Sequence, residues 1–364
     1  MNSRAIVLTE IEAMGGAERS VLALSRWLMQ HSLPHHFVTY VDRVGLTAHA
    51  DYPINVIQLK PPMRAMKKVA ALRQYFSARP GAPAPLMSGF QPALHATLAG
   101  IRGFHCLMHD TPSLFEDAST LTAKRRLARW VSDKIVARGL RSGGHTIVTS
   151  EYLRDETRRV YGIEADIARM GGLSDPAAFH LRPVSNTLRL LSVSRIEANK
   201  RIDWILRALA AMERDTAPLS ARLDWTLDIA GRGSQIEAMQ ALASKLGVAE
   251  RVHFLGYVSD AELQQIYAQA HLFLMPAVQG YGIPAIEALE RGLPVLLHRE
   301  SGVSDILQTT PWATVIEGGE DGMLEGLRKA IDGVVTGIQL QVPLPPLPTE
   351  EEWAERVVTL CGWV

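Results

Sequence analysis

Residues 270–298, AHLFLMPAVQGYGIPAIEALERGLPVLLH, carry the pattern that decides the fold. The apolar run at 271–275 has the length of a buried strand, and a second run of this kind follows at 293–297. Between them, the glycines of QGYG permit a tight turn, and Pro284 suits the first turn of a helix. Strand, glycine turn, helix and strand form one βαβ unit, which predicts an α/β protein with a parallel sheet.

The start of this helix predicts an anion site. Backbone N–H groups at a helix N-terminus lack intrahelical partners and carry a partial positive charge, so residues 279–283 favour a phosphate or carboxylate ligand. Glu287 lies one turn inside the helix, where its carboxylate can reach a ligand held at the N-terminus. The alternative is that the glycines only turn the chain, as they do in many α/β proteins.

The same alternation of strands and helices occurs twice along the chain. A first series begins with an apolar strand at 4–9, followed by Gly15 and Gly16 and then a helix, and a second begins with the strand at 188–193. The first turn lacks the GxGxxG spacing, so a dinucleotide fingerprint is absent. The glycine pair still predicts a close approach of backbone N–H groups to a ligand.

Two domains of ordinary size fit the length of 364 residues. We predict Rossmann-like domains at 1–183 and 184–345, with a terminal helix at 346–364 that packs back on the first domain. Two such domains place the carboxyl ends of their strands on opposite sides of a central cleft, which is the expected ligand site.

Composition excludes several classes of protein. A hydrophobic fraction of 47% and a charged fraction of 21% are typical of a soluble globular chain, and no apolar run reaches the length of a membrane helix. Cys106 and Cys361 are too few for a disulfide framework or a zinc site. The N-terminal residues show no secretory pattern. We therefore expect a cytoplasmic enzyme or binding protein.

The neutral net charge conceals an asymmetry between the halves of the chain. Residues 1–180 contain 22 Lys and Arg against 15 Asp and Glu, whereas residues 181–364 contain 16 against 23. The basic excess includes Arg64, Lys67 and Lys68, which lie beside apolar positions in a predicted helix, and the segment 124–144. Such segments suit an anionic membrane surface, and the alternative is an ordinary surface helix. Nucleic acid is not expected as a partner, because no binding motif is present.

Polar residues at predicted strand ends define a candidate site. His109 and Asp110 follow one strand of the first domain, and Arg195 and Lys200 follow the first strand of the second. Two cations, a histidine and helix N-termini in one cleft predict a diphosphate site. No carboxylate cluster is positioned for a catalytic metal, so none is expected.

These motifs together resemble those of a known family. The chain is similar, from about Gly15 to Glu355, to the group-1 (fourth-family) retaining glycosyltransferases, which use nucleotide sugars and have the two-domain GT-B fold. The resemblance is carried by MGGAERSVLAL, HD at 109–110, TSEYL, SVSRIEANKRID, AGRGSQ, VHFLGYVSDAELQQIYAQAHLFLMPA and GYGIPAIEALERGLPV.

The resemblance implies roles for individual residues. Arg195 and Lys200 would hold the donor diphosphate, Glu287 would accept hydrogen bonds from the ribose, and His109 would lie near the sugar and the acceptor. The implied catalytic residues are His109, Arg195, Lys200, Gln279 and Glu287. The implied donor-binding residues are Gly15, Gly16, Arg195, Lys200, Tyr257, Val258, Gln279, Gly280, Tyr281, Gly282, Ile283 and Glu287. The implied acceptor or membrane residues are Arg64, Lys67, Lys68 and Asp110.

One position departs from the family pattern. The family has two Glu residues separated by seven positions, and Gln279 replaces the first of them while Glu287 is retained. An amide keeps the shape and one acceptor of a carboxylate but loses its charge and gains an NH₂ donor. Three explanations are open: an altered sugar preference, an attenuated or inactive binding homologue, and an engineered substitution. The loop at 171–179 is also altered, which weakens the match at Asp175.

The resemblance implies a retaining, metal-independent transfer from a UDP- or GDP-linked sugar, with no cofactor. The expected acceptor is a saccharide or lipid-linked saccharide of a cell-surface polysaccharide or lipopolysaccharide, and the expected location is cytoplasmic, on the inner face of the membrane. A non-catalytic nucleotide-sugar-binding homologue and a GT-B sugar-nucleotide epimerase are the alternatives.

Overall fold

The computed structural model describes residues 3–12, 14–62, 64–111, 121–172, 183–184, 186–214 and 224–364. The chain divides into two compact units. Unit 1 comprises Met1–Leu173 and Pro348–Val364, and unit 2 comprises Ser174–Leu347. The first crossing between the units is thus earlier in the chain than the expected boundary after residue 183.

Unit 1 is built on a parallel sheet. Its strands are β1 (Arg4–Val7), β2 (Glu10–Ile11), β3 (His35–Thr39), β4 (Val41–Asp42), β5 (Val56–Gln58), β6 (Leu86–Ser88), β7 (His105–Leu107), β8 (Thr146–Val148) and β9 (Asp166–Ile167). Among the described residues seven of these pair in the order β5-β3-β1-β6-β7-β8-β9, and β2 pairs with β4. Every pairing is parallel.

Helices cover the sheet of unit 1. They are α1 (Gly16–Gln30), α2 (Ala65–Ser77), α3 (Phe90–Leu98), α4 (Ala123–Leu140) and α5 (Glu151–Tyr161). Because helices cover the sheet, both faces of a central parallel strand must be apolar. Strand β1 shows this, since Ile6 and Val7 are both buried. The carboxyl ends of β6 and β7 thereby bring Ser88 and His109 to one edge of the sheet.

Unit 2 repeats the architecture. Its strands are β10 (Thr187–Val193), β11 (Asp224–Ala230), β12 (Val252–Gly256), β13 (Leu272–Met275), β14 (Val295–His298) and β15 (Ala313–Ile316). They pair in parallel in the order β12-β11-β10-β13-β14-β15 among the described residues. Its helices are α6 (Ile202–Arg214), α7 (Ile236–Leu246), α8 (Asp260–Gln269), α9 (Ile283–Glu290), α10 (Ser304–Leu307) and α11 (Glu320–Thr336). The α/β class with two Rossmann-like parallel-sheet domains is confirmed.

Residues 270–298 fold as their sequence predicts. Its apolar runs are β13 and β14, every residue of which is buried, and they pair directly with one another. The helix between them is α9, with Pro284 in its first turn. Strand, turn, helix and strand thus form the βαβ unit that the glycines and proline predicted.

The C-terminal segment belongs to unit 1. Helix α12 (Glu350–Leu360) begins with a capping box, in which the side chains of Thr349 and Glu352 bond to each other's backbone N–H groups. Trp353 is buried, and the indole N–H of Trp363 donates to the carbonyl of Ala84 at 3.2 Å. This is the packing expected for a terminal helix that returns to the first domain.

In the described part of the chain, no helix combines the length and the apolar character that crossing a membrane requires.

Candidate functional site

The loop after β10 carries the first predicted cation. Arg195 is exposed, and the neighbouring Glu197 fixes the loop, because its carboxylate accepts hydrogen bonds from the Ser234 hydroxyl at 2.6 Å and the Ser234 backbone N–H at 3.1 Å. These bonds, together with the positive charge of Arg195, lower the pKa of Glu197. The contact ties the Arg195 loop to the turn after β11, and sequence reasoning did not identify it.

Two glycines allow the backbones of these two loops to touch. A Cβ on Gly231 would lie 1.9 Å from the carbonyl oxygen of Ser194, and a Cβ on Gly233 would lie 2.2 Å from that of Ile196. Gly231 also has a φ of +137°, which disfavours any side chain. The glycines of AGRG therefore support the Arg195 loop by close backbone packing.

The second predicted cation contacts the residue that departs from the family pattern. Lys200 ends a short 3₁₀ turn (Ala198–Lys200), and its ammonium donates to Oε1 of Gln279 at 2.5 Å. The amide nitrogen of Gln279 faces the Met275 sulfur at 3.1 Å and the Ser301 hydroxyl at 3.4 Å. The amide oxygen thus accepts from a donor, and the amide nitrogen faces two acceptors. The contact with Gln279 therefore places no negative charge beside Lys200.

The turn between β13 and α9 is held on both sides. Gly282 adopts a φ of +141°, and a Cβ there would lie 2.5 Å from Met275 Cε and 2.9 Å from Gln279 Nε2. The Ser301 hydroxyl donates to the Tyr281 carbonyl at 2.9 Å. Residues 280–283 therefore lead into α9 in a fixed conformation, with the amide of Gln279 packed against the glycine.

Glu287 lies in α9 and is only 2% exposed. The helix around it is secured by Arg291, whose guanidinium donates to the Glu287 carbonyl at 2.6 Å and to Oε1 of Gln264 at 2.9 Å. The same guanidinium lies over the Tyr267 ring, 5.1 Å from its centroid. Arg291 is a structural contributor that the motif alone did not reveal.

The predicted base-binding residues follow β12. Tyr257 is 72% exposed, and the guanidinium of Arg232 lies 5.7 Å from the centroid of its ring. Gly256 precedes it with a φ of +68°, and its carbonyl accepts the N–H of Gly231 at 2.7 Å. The turns after β11 and β12 are therefore joined, and Val258 follows in the second of them.

In unit 1, His109 follows β7 and is partly exposed. Its Nε2 lies 2.9 Å from the Ser88 hydroxyl, at the end of the adjacent strand β6. Desolvation lowers the pKa of His109 to about 4, so the imidazole is neutral at pH 7. Asp110 follows it with a partly exposed side chain.

The glycine pair of unit 1 begins α1. The N–H of Gly15 donates to the carboxylate of Glu18 at 3.0 Å, so this helix start is closed by its own acidic residue. Gly16 is the first helical residue. A ligand phosphate that binds the Gly15 N–H must replace Glu18, and the glycine pair alone does not predict this competition.

The basic residues of unit 1 behave differently from one another. Arg64 and Lys67 are exposed at the start of α2, whereas Lys68 forms an ion pair with Glu10 and is largely buried. This corrects the expectation for Lys68: the turn of the helix carries its side chain toward β2, where its charge is used within unit 1. Asp175 lies outside the described residues.

In the ranges that the structure describes, no three His, Cys, Asp or Glu side chains converge as a metal site would require.

Sequence comparison adds information that the geometry alone does not contain. Residues 177–333 match the profile of the family described as glycosyl transferases group 1. A GDP-mannose-dependent alpha-(1-6)-phosphatidylinositol monomannoside mannosyltransferase of Mycolicibacterium smegmatis is 33% identical over 137 residues, which is 35% of this chain and 34% of that protein. The protein of the same name from Mycobacterium tuberculosis is 28% identical over 260 residues, 65% of this chain and 62% of its own length. The matched segments thus span less than two thirds of these curated relatives.

Structural comparison covers nearly the whole chain. The structure of WaaG, a glycosyltransferase involved in lipopolysaccharide biosynthesis, matches with a TM-score of 0.71 at 20% identity, over 98% of this chain and 95% of that one. At this identity the match shows a shared fold.

Proposed function

We propose that the protein transfers a sugar from a nucleotide-diphosphate sugar to a saccharide or lipid-linked saccharide acceptor, with retention at the anomeric carbon and without a metal ion. The match of residues 177–333 to the group 1 glycosyltransferases and the GT-B fold support this proposal. The relatives reported above are mannosyltransferases that depend on GDP-mannose by name, so GDP-mannose is the first donor to test, with UDP-sugars beside it.

The observation that carries the proposal is the position of Lys200. Its ammonium donates to the neutral amide of Gln279, a contact that places no negative charge beside it. Exposed Arg195 lies on the same loop, and the N–H groups at the start of α9 follow Gln279 directly in the chain. Two cations and a helix N-terminus are the groups that stabilise a departing diphosphate in the absence of a metal.

The remaining residues take the roles that the family resemblance implies. Glu287 accepts hydrogen bonds from the ribose hydroxyls, and the backbone at Tyr257 and Val258 contacts the base. His109 of unit 1, whose imidazole is neutral at pH 7, would lie near the sugar and the acceptor by the same resemblance.

In the proposed reaction the acceptor hydroxyl attacks the anomeric carbon from the face that the diphosphate leaves. The new C–O bond forms as the old one breaks, and the acceptor proton passes to an oxygen of the departing diphosphate. The nucleoside diphosphate is therefore both leaving group and base. Arg195 and Lys200 act by stabilising the charge that develops on it, which is an interaction stronger in the transition state than in the ground state.

Replacing Lys200 by Met tests the proposal, since Met keeps the length of the side chain and removes its charge. We expect kcat/KM for the donor to fall by about 10²–10³, the usual cost of losing one preorganised group at a developing anion. Lys245→Met, at an exposed position in the last turn of α7, is the matched control and should retain normal turnover. Normal turnover in Lys200→Met at saturating donor refutes the assignment.

Gln279 favours a second candidate function, a nucleotide-sugar-binding homologue with little activity. It stands where the family has a carboxylate, and its amide is fully integrated into the turn. Thermal stabilisation by a nucleotide sugar without hydrolysis or transfer, across GDP- and UDP-linked donors and saccharide acceptors, would favour this second function over the first.

A further inference from the structure

The residue after Lys200 has an unusual backbone conformation. Arg201 follows the 3₁₀ turn with a φ of +54°, and in the described part of the chain it shares a positive φ with only two other non-glycine residues, Ser32 and Lys60. A left-handed backbone crowds the Cβ of any L-residue, so a glycine would form this turn at lower cost. Because such strain is concentrated at ligand sites, the side chain of Arg201 is the feature to explain.

The side chain of Arg201 has few contacts that compensate for this strain. Its guanidinium lies over the Trp204 ring, 4.9 Å from the centroid. Its Nε is buried without a hydrogen-bond partner, and its charge has no ion-pair partner among the described residues. Arg207, in the same helix α6, is instead paired with Glu320 at 3.5 Å. Since Arg201 is partly exposed, its unpaired guanidinium can be reached by a ligand.

The ring that supports this guanidinium is fixed by the end of β14. The centroids of Trp204 and His298 are 5.8 Å apart, with an angle of 57° between the rings. His298 is buried and bonded at both nitrogens, because its Nδ1 accepts the N–H of Glu300 at 3.1 Å and its Nε2 lies 3.0 Å from the carbonyl oxygen of Gly318. Trp204 therefore holds the guanidinium of Arg201 against an ordered part of unit 2.

Backbone hydrogen bonds join the turn that contains Arg201 to the neighbouring turns. The N–H of Val278 donates to the carbonyl of Asn199 at 3.3 Å. The N–H of Gln279 donates to the carbonyl of Glu300 at 3.1 Å. The turns after β10, β13 and β14 are thus connected, and Arg201 lies at the same edge of the sheet as the proposed diphosphate site.

The strand order indicates which part of a donor would lie near Arg201. Tyr257 follows β12, Lys200 follows β10, and the Trp204 ring contacts the end of β14, in a sheet with the order β12-β11-β10-β13-β14-β15. A nucleotide sugar with its base at Tyr257 and its diphosphate at Lys200 would direct its sugar toward β14. Arg201 therefore lies on the sugar side of the diphosphate.

From these features we propose that Arg201 binds an oxyanion, a carboxylate or a phosphate, that is carried by a reacting saccharide. The planar fork of N–H groups on a guanidinium matches both of these groups in a bidentate manner. Arg195 and Lys200 serve the diphosphate, so Arg201 is an additional cation. The inference rests on the proposed function and narrows its substrates to an acidic sugar on the donor, or to an acceptor that carries a phosphate or carboxylate.

Calorimetric titration of paired charged and neutral ligands tests the proposal. UDP-glucuronate against UDP-glucose reports a charge on the transferred sugar. Glucose 6-phosphate against glucose, with and without saturating GDP, reports a charge on the acceptor. In at least one pair the wild type should bind the charged ligand about tenfold more tightly, which is the usual strength of a hydrogen bond between charged groups. Arg201→Gln should lose this preference, and Arg201→Lys should keep part of it because the charge remains.

Arg207→Gln is the matched control, because it removes one positive charge from the same helix and leaves Arg201 in place. It should keep the preference of the wild type. The failure of this proposal can be distinguished from that of the proposed function. Absence of any nucleotide binding by the wild type contradicts the proposed function, and the glucose 6-phosphate pair without GDP then still decides the role of Arg201. Nucleotide binding without any preference for charge contradicts the role of Arg201 alone.

Arg201→Gly separates a ligand-binding role from a structural one. Glycine adopts a positive φ freely, so the thermal midpoint of this variant should be no lower than that of the wild type, while the preference for the charged ligand should be lost. A clearly lower midpoint would mean that the contact with Trp204 stabilises the fold, and it would overturn the proposal. The proposal is also overturned if the wild type prefers neither charged ligand, or if Arg201→Gln keeps the preference.

Discussion

Changing Gln279 to Glu would convert a hydrogen-bond partner of Lys200 from a neutral amide to a carboxylate. The bond from the Lys200 ammonium to Oε1 is already 2.5 Å long, so a carboxylate in the same position forms an ion pair without any rearrangement. The wild-type bond already has a charged donor, so the substitution adds the attraction of a second full charge, about 1 kcal/mol in water and about 4 kcal/mol near a protein surface. Because Lys200 is partly exposed, the lower part of this range applies, and we expect the ion pair to hold Lys200 more tightly by about 1.4 kcal/mol.

That difference weakens the binding of the nucleotide-sugar donor, because its diphosphate must share Lys200 with the new carboxylate. An energy of about 1.4 kcal/mol corresponds to a tenfold weaker affinity for a nucleoside diphosphate. A second effect acts on the turn. The new carboxylate oxygen faces the Met275 sulfur and the Ser301 hydroxyl, and the proton of that hydroxyl is donated to the Tyr281 carbonyl. The exchange of a donor for an acceptor at this point costs about 1 kcal/mol of stability.

Calorimetric titration of GDP and UDP into the wild type, Gln279→Glu and Gln279→Met measures the effect. Met keeps the volume of Gln without adding charge, so we expect Gln279→Met to bind the nucleotide within about threefold of the wild type. A double-mutant cycle with Lys200→Met isolates the pair, because the penalty of Gln279→Glu should largely vanish when Lys200 is absent. If Gln279→Glu binds nucleotide as tightly as the wild type and gains turnover, the amide is an attenuating substitution and the reasoning is refuted.

Two further predictions concern the support of the site and its response to acid. Gly231→Ala should cost at least about 2 kcal/mol of stability and reduce donor affinity, because its Cβ would lie 1.9 Å from the Ser194 carbonyl oxygen at a φ of +137°. Urea unfolding measures the stability, and nucleotide titration measures the affinity. The control is Gly247→Ala, which should cost only about 1 kcal/mol because no atom lies within 4 Å of the added Cβ. Burial lowers the pKa of His105 to about 4, and its Nδ1 accepts the N–H of His145, so the folded state holds the neutral ring. Between pH 6.5 and 4 the unfolded chain binds a proton that the folded chain does not, so His105 should lower the free energy of unfolding by about 3 kcal/mol as the pH falls through this range. His105→Gln should therefore flatten the pH dependence of urea unfolding. An unchanged pH dependence in this variant would contradict the lowered pKa of His105.

The sequence patterns that succeeded are local. The β13–α9–β14 unit could be predicted because two apolar runs, a glycine turn and Pro284 lie within thirty residues of one another. The start of helix α12 could be predicted from the capping pattern at Thr349 and Glu352. In each case the residues that specify the element are those that form it.

Contacts between distant segments could not be predicted in this way. The ion pair of Lys68 with Glu10 joins residues 58 positions apart, and the bond of Glu197 to Ser234 joins residues 37 apart. Neither pair has a periodicity or spacing that marks it, because the contact depends on strand order and on the rotation of a helix.

The membership of residues 348–364 in unit 1 has a consequence for how the protein is made. The guanidinium of Arg4 donates to the carbonyl of Trp363, so one hydrogen bond spans 359 positions. During synthesis, every residue of unit 2 emerges from the ribosome before α12 does, whereas unit 1 begins first and acquires its last helix at the end. Unit 2 can thus fold on the nascent chain, while the earliest residues of unit 1 wait for the latest. Unit 1 is therefore the first unit to begin synthesis and the last to be completed.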